Sequence, residues 1–133
     1  MRKIFMVILT ILIASACMPI LPSDEVVIVG RLASIQATPG CGLVHFSAVA
    51  EYTDLRVISG TYPYDTVYVM HGCPELTRRQ YAQGSGDLES FNVGDYHELH
   101  LTKENVYHTM EHSNGPYPKD RLYFSRVVNL HTK

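Results

Sequence analysis

Residues 43–53 alternate apolar and polar side chains in the way that a half-buried β-strand requires. The apolar positions of one face are Val44, Phe46, Ala48, Ala50 and Tyr52. Apolar residues resume at Leu55 and Val57, one position out of phase with this series. Because a slip of one residue moves every side chain to the opposite face, the sequence predicts a bulge or kink near Thr53 and Asp54.

Four further stretches have strand character, since β-branched and alternating apolar residues fill them. They are residues 25–36, 66–71, 95–102 and 121–130. Gly30 interrupts the first stretch and predicts a bulge or sharp bend there. In the last stretch the pattern predicts one shared face for Leu122, Phe124, Val128 and Leu130. Residues 74–83 are predicted to form a short helix, because Pro74 suits a first helical position.

The order is therefore three strands, a short helix and two strands within residues 25–133, which are enough for one domain with its own core. This order, with a bent first strand that contains Gly30 and a kinked second strand, resembles the OB-fold barrel and its netrin-like variant over residues 25–130, and the phrases Gly40-Cys41-Gly42, Glu51-Tyr52 and Gly94-Asp95-Tyr96 carry the likeness. The resemblance implies an all-β, five-stranded barrel, with ligands on the second and third strands and the loops after strands one and four. An immunoglobulin-like or transthyretin-like sandwich is the alternative.

The first 16 residues have the order of a secretory signal peptide. Arg2 and Lys3 precede 13 residues, 4–16, that are apolar except at two positions. As a helix this run covers roughly 20 Å, against about 30 Å for the hydrocarbon core of a bilayer. Ala14-Ser15-Ala16 supplies the small residues that a signal peptidase accepts. The sequence predicts cleavage after Ala16.

Cys17 directly follows that cleavage site, which resembles the lipobox of bacterial lipoproteins, although Ala14 stands where leucine is usual. The resemblance implies that Cys17 carries lipid and that residues 17–24 form a tether. Met18, where an inner-membrane lipoprotein has aspartate, favours the outer membrane of a bacterial cell envelope. A secreted protein and a retained membrane helix are the alternatives. Two or more acyl chains anchor a protein stably.

Cys41 and Cys73 become an even pair once Cys17 is taken by lipid. An oxidising compartment then favours a disulfide between them, although a plain hairpin would not place them opposite each other. Two free buried thiols are the alternative. The cysteine that opens the working edge of the mature netrin-like inhibitors is not matched, since Cys17 carries lipid, so inhibition is not implied.

Histidines offer the one hypothesis of metal chemistry. His108 and His112 are four residues apart and could share a helix face as zinc ligands. Thr109 stands where a zinc protease would have its glutamate, and exposed loop histidines are the simpler interpretation. No nucleophile, phosphate-loop or calcium-loop motif occurs. The sequence therefore predicts no cofactor, no metal and no enzyme activity.

The loop of residues 103–120 is the candidate contact surface, with Tyr107, His108, His112 and Tyr117 as its contact residues. Tyrosine combines a broad apolar ring with a polar tip, which suits binding surfaces. There is no basic run, so nucleic acid is not an expected partner. The leading hypothesis is a lipid-anchored, non-enzymatic binding or assembly module for a protein or glycan. Zinc-dependent activity and inhibition of an envelope enzyme are the alternatives.

Overall fold

A computed structural model describes residues 25–107, 110–111 and 115–132 of the chain. Its six strands are Val26–Ile35 (β1), Phe46–Ser59 (β2), Val67–Gly72 (β3), Tyr96–Thr102 (β4), Met110–Glu111 (β5) and Leu122–His131 (β6). One 3-10 turn, Lys119–Arg121, precedes β6. All five predicted strands are present, and the second begins at Phe46, later than the alternation indicates.

Five of these strands close into a barrel. Their order is β1-β4-β6-β3-β2, and β2 pairs back with β1, so the ring has no open edge. Only β3 and β6 are parallel within the ring. The predicted all-β, five-stranded OB-like barrel is confirmed. The sandwich alternative is excluded, because a sandwich needs two separate sheets.

The predicted kink in β2 lies at Asp54. Its φ of 52° places this non-glycine residue in the left-handed region. Opposite it, the register with β1 shifts between Val29 and Arg31, as in a β-bulge. Gly30 lies in that shift, and a Cβ there would come within 2.8 Å of Leu55 Cδ2. The missing side chain therefore lets β2 coil closely over β1.

The barrel interior holds the main apolar cluster. Alternate residues of β1, β2, β3 and β4 point inward, and several are completely buried: Ile28, Leu32, Tyr52, Val67, Val69, Leu99 and Leu101. Leu88 enters the same cluster from the segment between β3 and β4, and Tyr62 from the loop before β3. The alternation of apolar and polar residues in β2, β3 and β4 thus predicted their inward-facing side chains correctly.

The predicted helix over residues 74–83 is wrong. Those residues form successive turns, with backbone bonds such as Leu76 N–H to Cys73 O and Gly84 N–H to Tyr81 O. Arg78 N–H donates instead to Leu88 O, 2.9 Å away. Because that bond draws the backbone toward a distant segment, the i to i+4 bonds of a helix do not continue.

The predicted face of the last strand is also wrong. Val128 is buried in the barrel, but Leu130 is 47% exposed and Phe124 packs outside the barrel. The cause is a register shift in the pairing of β4 with β6, between Leu99 and Leu101. An extra residue in β6 exchanges its faces at this point.

The barrel has two ends. The entry end is where the chain enters β1 after Glu25, and the distal end is where β1 stops and residues 36–45 begin. Strand β1 has 10 residues, so it is at most roughly 30 Å long at about 3.3 Å per residue. No helix among the described residues is long and apolar enough to cross a membrane.

Candidate functional site

Cys41 and Cys73 lie at disulfide distance at the distal end, with their Cα atoms 5.8 Å apart. The loop of residues 36–45 supplies the reach that a plain hairpin lacks. Phe46 N–H donates to Cys41 Sγ at 3.2 Å, and Cys73 N–H donates to Phe46 O at 2.8 Å. The pair thereby fixes this loop to the end of β3.

One group among the described residues has metal-ligand spacing, and it consists of these two cysteines and Glu75. Glu75 accepts a hydrogen bond from Cys41 N–H. Sulfur atoms bonded to each other are not thiolates and do not bind a metal. This geometry therefore follows from the crosslink.

A second apolar cluster lies outside the barrel, around the cysteines. Its buried members are Cys73, Tyr81 and Tyr107, and the side chains packed against them are Cys41, Leu76, Val106 and Phe124. We refer to these seven residues as the outer cluster. Tyr107, a candidate contact residue, is only 3% exposed and donates its hydroxyl hydrogen to Ser125 O. Its side chain holds the long loop to β6.

Tyr117 from the same loop lies on the outside of β3. Its ring centroid is 5.1 Å from that of Tyr68, and Gln36 Nε2 donates to its hydroxyl at 2.8 Å. Thus Tyr117 lies against one of the two strands where the OB resemblance places ligands. His108 and His112 lie outside the described residues, as does Cys17, so the zinc and lipid hypotheses remain predictions.

A polar cluster occupies the distal end of the barrel interior. The Tyr52 hydroxyl is 3.1 Å from His71 Nε2 and 3.0 Å from His97 Nδ1. It donates to one ring and accepts from the other. Phe91 packs on both imidazoles, with ring centroids 4.6 and 5.6 Å away. Burial lowers the pKa of His97 to about 4 and holds the pKa of His71 well below its ordinary value, with Arg78 adding to the latter effect.

Sequence reasoning missed this cluster, although a signal existed. His71 continues the inward series of Val67 and Val69, and His97 precedes the inward Leu99. The parity of each strand therefore already places these histidines inside. Because both imidazoles are completely buried, they contribute to the barrel's interior and are not presented to a solvent-borne substrate.

Arg78 is the most unusual buried group, being 1% exposed. Its Nη2 donates to three backbone carbonyls, Gly72 O, Cys73 O and Leu76 O, at 2.7–3.1 Å. Its guanidinium carbon lies 5.0 Å from the Tyr81 ring centroid and 5.1 Å from that of Phe91. The side chain thus joins the turns after β3 to Phe91, which packs on the two buried imidazoles.

A surface pocket of about 260 Å³ lies at the β2 bulge. Tyr96 donates its hydroxyl hydrogen to Asp54 Oδ2, and Arg56 Nη2 is 3.3 Å from His131 Nε2. A carboxylate, a phenol, a guanidinium and an imidazole meet here. They bond to one another in pairs, so the arrangement stabilises the bulge.

Two exposed apolar side chains of the distal end lie in the loop that the cysteines fix. Leu43 is fully exposed and Val44 is 43% exposed. They are two and three residues from Cys41. The alternation had assigned both to the second strand, but they form the tip of a bend instead.

Comparisons with known proteins leave the chain without an assigned relative: no family model, no curated protein and no solved structure matches it. The function must therefore be argued from the geometry above.

Proposed function

We propose that this chain is a lipid-anchored protein of the bacterial cell envelope, held through Cys17, that binds a protein partner without catalysing a reaction. The anchor rests on the leader of residues 1–16 and the cysteine that follows it. The described domain begins at Glu25, so the tether of residues 17–24 enters at the entry end. The distal end then points away from the lipid.

The observation that carries the binding role is the loop tip at Leu43 and Val44. It presents apolar side chains to solvent at the distal end, and the pair at Cys41 and Cys73 limits its motion. A loop that is ordered before binding loses less conformational entropy on contact. Leucine buried in a partner's pocket contributes about 1.5–3 kcal/mol. Such a rigid apolar tip suits a protein partner better than a glycan.

Site-specific photocrosslinking in intact host membranes tests this role. A photoreactive residue at Leu43 should capture one defined envelope protein. Ile58 is the matched control, because it is 51% exposed and lies at the entry end, next to the Val27–Ser59 pair. Equal capture at both positions, or capture at neither, would contradict a partner at the distal end. If the captured protein is an envelope enzyme, the result would favour the alternative hypothesis that this chain inhibits such an enzyme.

The anchor has a separate test. Mass spectrometry of the mature amino terminus should find a chain that begins at Cys17 and carries acyl groups. An unmodified Cys17, or a chain that retains residues 1–16, would refute lipid anchoring. The crosslinking result would then apply to a secreted protein in the first case and to a protein with a membrane helix in the second. The two experiments therefore separate location from binding.

A further inference from the structure

Two guanidinium groups without a carboxylate partner lie near one surface pocket, Arg126 at its rim and Arg78 behind Gly84 of its lining. The pocket has a volume of about 290 Å³ and is lined by Ala82, Gln83, Gly84, Val106 and Arg126. Arg126 is exposed at its rim, with Nη2 donating to Val106 O at 3.0 Å. No ion pair involves Arg126 or Arg78 within the part of the chain that the structure describes.

Arg78 lies beneath the pocket, against Gly84. A Cβ at Gly84 would be 3.4 Å from Arg78 Nη1 and 2.9 Å from Tyr81 Cδ1. The glycine thus lets the buried guanidinium approach the pocket lining. Arg78 Nε and Nη1 are buried and have no hydrogen-bond partner among the described residues. A buried cation in this state is costly unless a negative group lies close to it.

The charged groups around Arg78 do not supply a free carboxylate for its guanidinium. Glu75 is the one carboxylate that acts on the Arg78 pKa, and its oxygen is engaged by Cys41 N–H. Glu25 lies in the pocket on the other side of Arg126, where it is 3.0 Å from His100 Nδ1. Both arginines lower the pKa values of Tyr81 and Tyr107 against the larger effect of burial. Their positive fields therefore overlap at this place.

We infer that this pocket binds an oxyanion, a phosphate or carboxylate group, with Arg126 as its direct donor and Arg78 as a buried countercharge beneath Gly84. A guanidinium donates charge-assisted hydrogen bonds to such oxygens. The low dielectric around Arg78 strengthens its attraction for an anion above it. The site is separate from the apolar tip at Leu43 and does not depend on the proposed partner.

Titration of the full-length protein in detergent micelles tests the site. Inorganic phosphate and acetate are added in turn at constant ionic strength, with sodium chloride as the balancing salt, and amide chemical shifts are followed by NMR. We expect saturable shifts at Gln83 and Gly84, with a Kd on the order of 1 mM for the better anion. Phosphate alone or acetate alone would identify which oxyanion group the site takes.

Arg126→Gln is the decisive variant, since Arg78 also donates to three carbonyls and its replacement perturbs the fold. Loss of one charge-assisted bond should raise the Kd about tenfold or more. Arg31→Gln removes an equal charge from an exposed position on β1 and should leave the Kd unchanged. Equal weakening in the two variants, an equal response to chloride, or no saturable shift up to about 100 mM anion, which is far above the expected Kd, would overturn the site.

Discussion

The two apolar clusters of this protein are built in different ways. The barrel interior is assembled from alternate residues of paired strands, such as Leu32, Val69 and Leu99. The outer cluster gathers residues from loops and one strand that are far apart in the chain, from Cys41 to Phe124. Backbone pairing holds the first, and side chains with one crosslink hold the second.

This difference separates scaffold from site. Apart from the polar cluster of Tyr52, His71 and His97, the barrel interior needs only apolar volume at the correct parity, so many sequences would satisfy it. The outer cluster depends on particular groups: the cysteine pair, the Arg78 bonds to carbonyls and the Tyr107 bond to Ser125 O. Both proposed binding surfaces, the tip at Leu43 and the pocket at Arg126, adjoin the outer cluster. Both proposed binding surfaces therefore lie where loops meet, and the barrel holds these loops in position.

The largest expected effect comes from the barrel interior. Leu99→Ala should lower the free energy of unfolding by about 3–5 kcal/mol, because it leaves a cavity in a completely buried site. Urea denaturation of the full chain measures this. Leu130→Ala on β6 is the control, since Leu130 is exposed, and should change stability by less than about 0.5 kcal/mol. Similar losses in the two variants would mean that the barrel interior is not the main source of stability.

Removal of the cysteine pair should have the next largest effect. Cys41→Ala with Cys73→Ala releases a loop of 32 residues, which costs about 3–4 kcal/mol in the chain-entropy model. Hydrogen exchange should show the earliest loss of protection in residues 36–45 and 73–84, while β1 and β4 keep theirs. Their ladder does not involve the crosslink.

A reductant provides the control for the crosslink. It should reproduce the loss in the wild-type protein and have no effect on the double variant. If reductant leaves wild-type stability unchanged, the two sulfurs are free thiols. If protection is lost uniformly across the barrel, then the outer cluster and the barrel interior unfold as one unit.

The difference between the two clusters also explains which features of the fold could be predicted from the sequence. The five barrel strands, the bulge near Asp54, the bend at Gly30 and the inner faces of β2 to β4 follow from local period and parity, whereas the two-residue strand β5 does not. The face of β6 did not, because its extra residue is visible only in the pairing with β4. Barrel closure through β1 and β2 came from a resemblance of the whole order of elements, and not from any single motif.

The outer cluster was largely beyond prediction, and for a physical reason. Tyr81, Tyr107 and Phe124 meet through loop geometry, which no short-range pattern encodes. The turns of residues 74–83 replace a helix because Arg78 N–H bonds Leu88 O, a partner ten residues away. The disulfide distance between Cys41 and Cys73 agrees with the pairing predicted from the number of cysteines, which can be counted in the sequence.

The smallest expected effect is a loss of folding stability at acidic pH. It tests whether the cluster of Tyr52, His71 and His97 makes the barrel interior sensitive to acid. The pKa of His97 is about 4 in the folded protein, against 6.5 for an exposed histidine, because burial penalises its charged form. Between pH 6.5 and 4 the unfolded chain therefore binds a proton that the folded chain does not. The stabilisation is complete above pH 6.5 and is lost as the pH falls toward 4, by about 2–3 kcal/mol for this group.

His71 acts in the same direction, since its pKa is also lowered, by burial first and by Arg78 and His97 in addition, while Asp95 partly opposes the shift of His97. Urea denaturation at a series of pH values measures the loss. His97→Asn offers an amide to the Tyr52 hydroxyl without a titrating ring, so its slope between pH 6.5 and 4 should be shallower than that of wild type. Leu130→Ala, which changes an exposed side chain that does not titrate, should keep the wild-type slope. An unchanged slope in His97→Asn would contradict the assignment of acid sensitivity to His97.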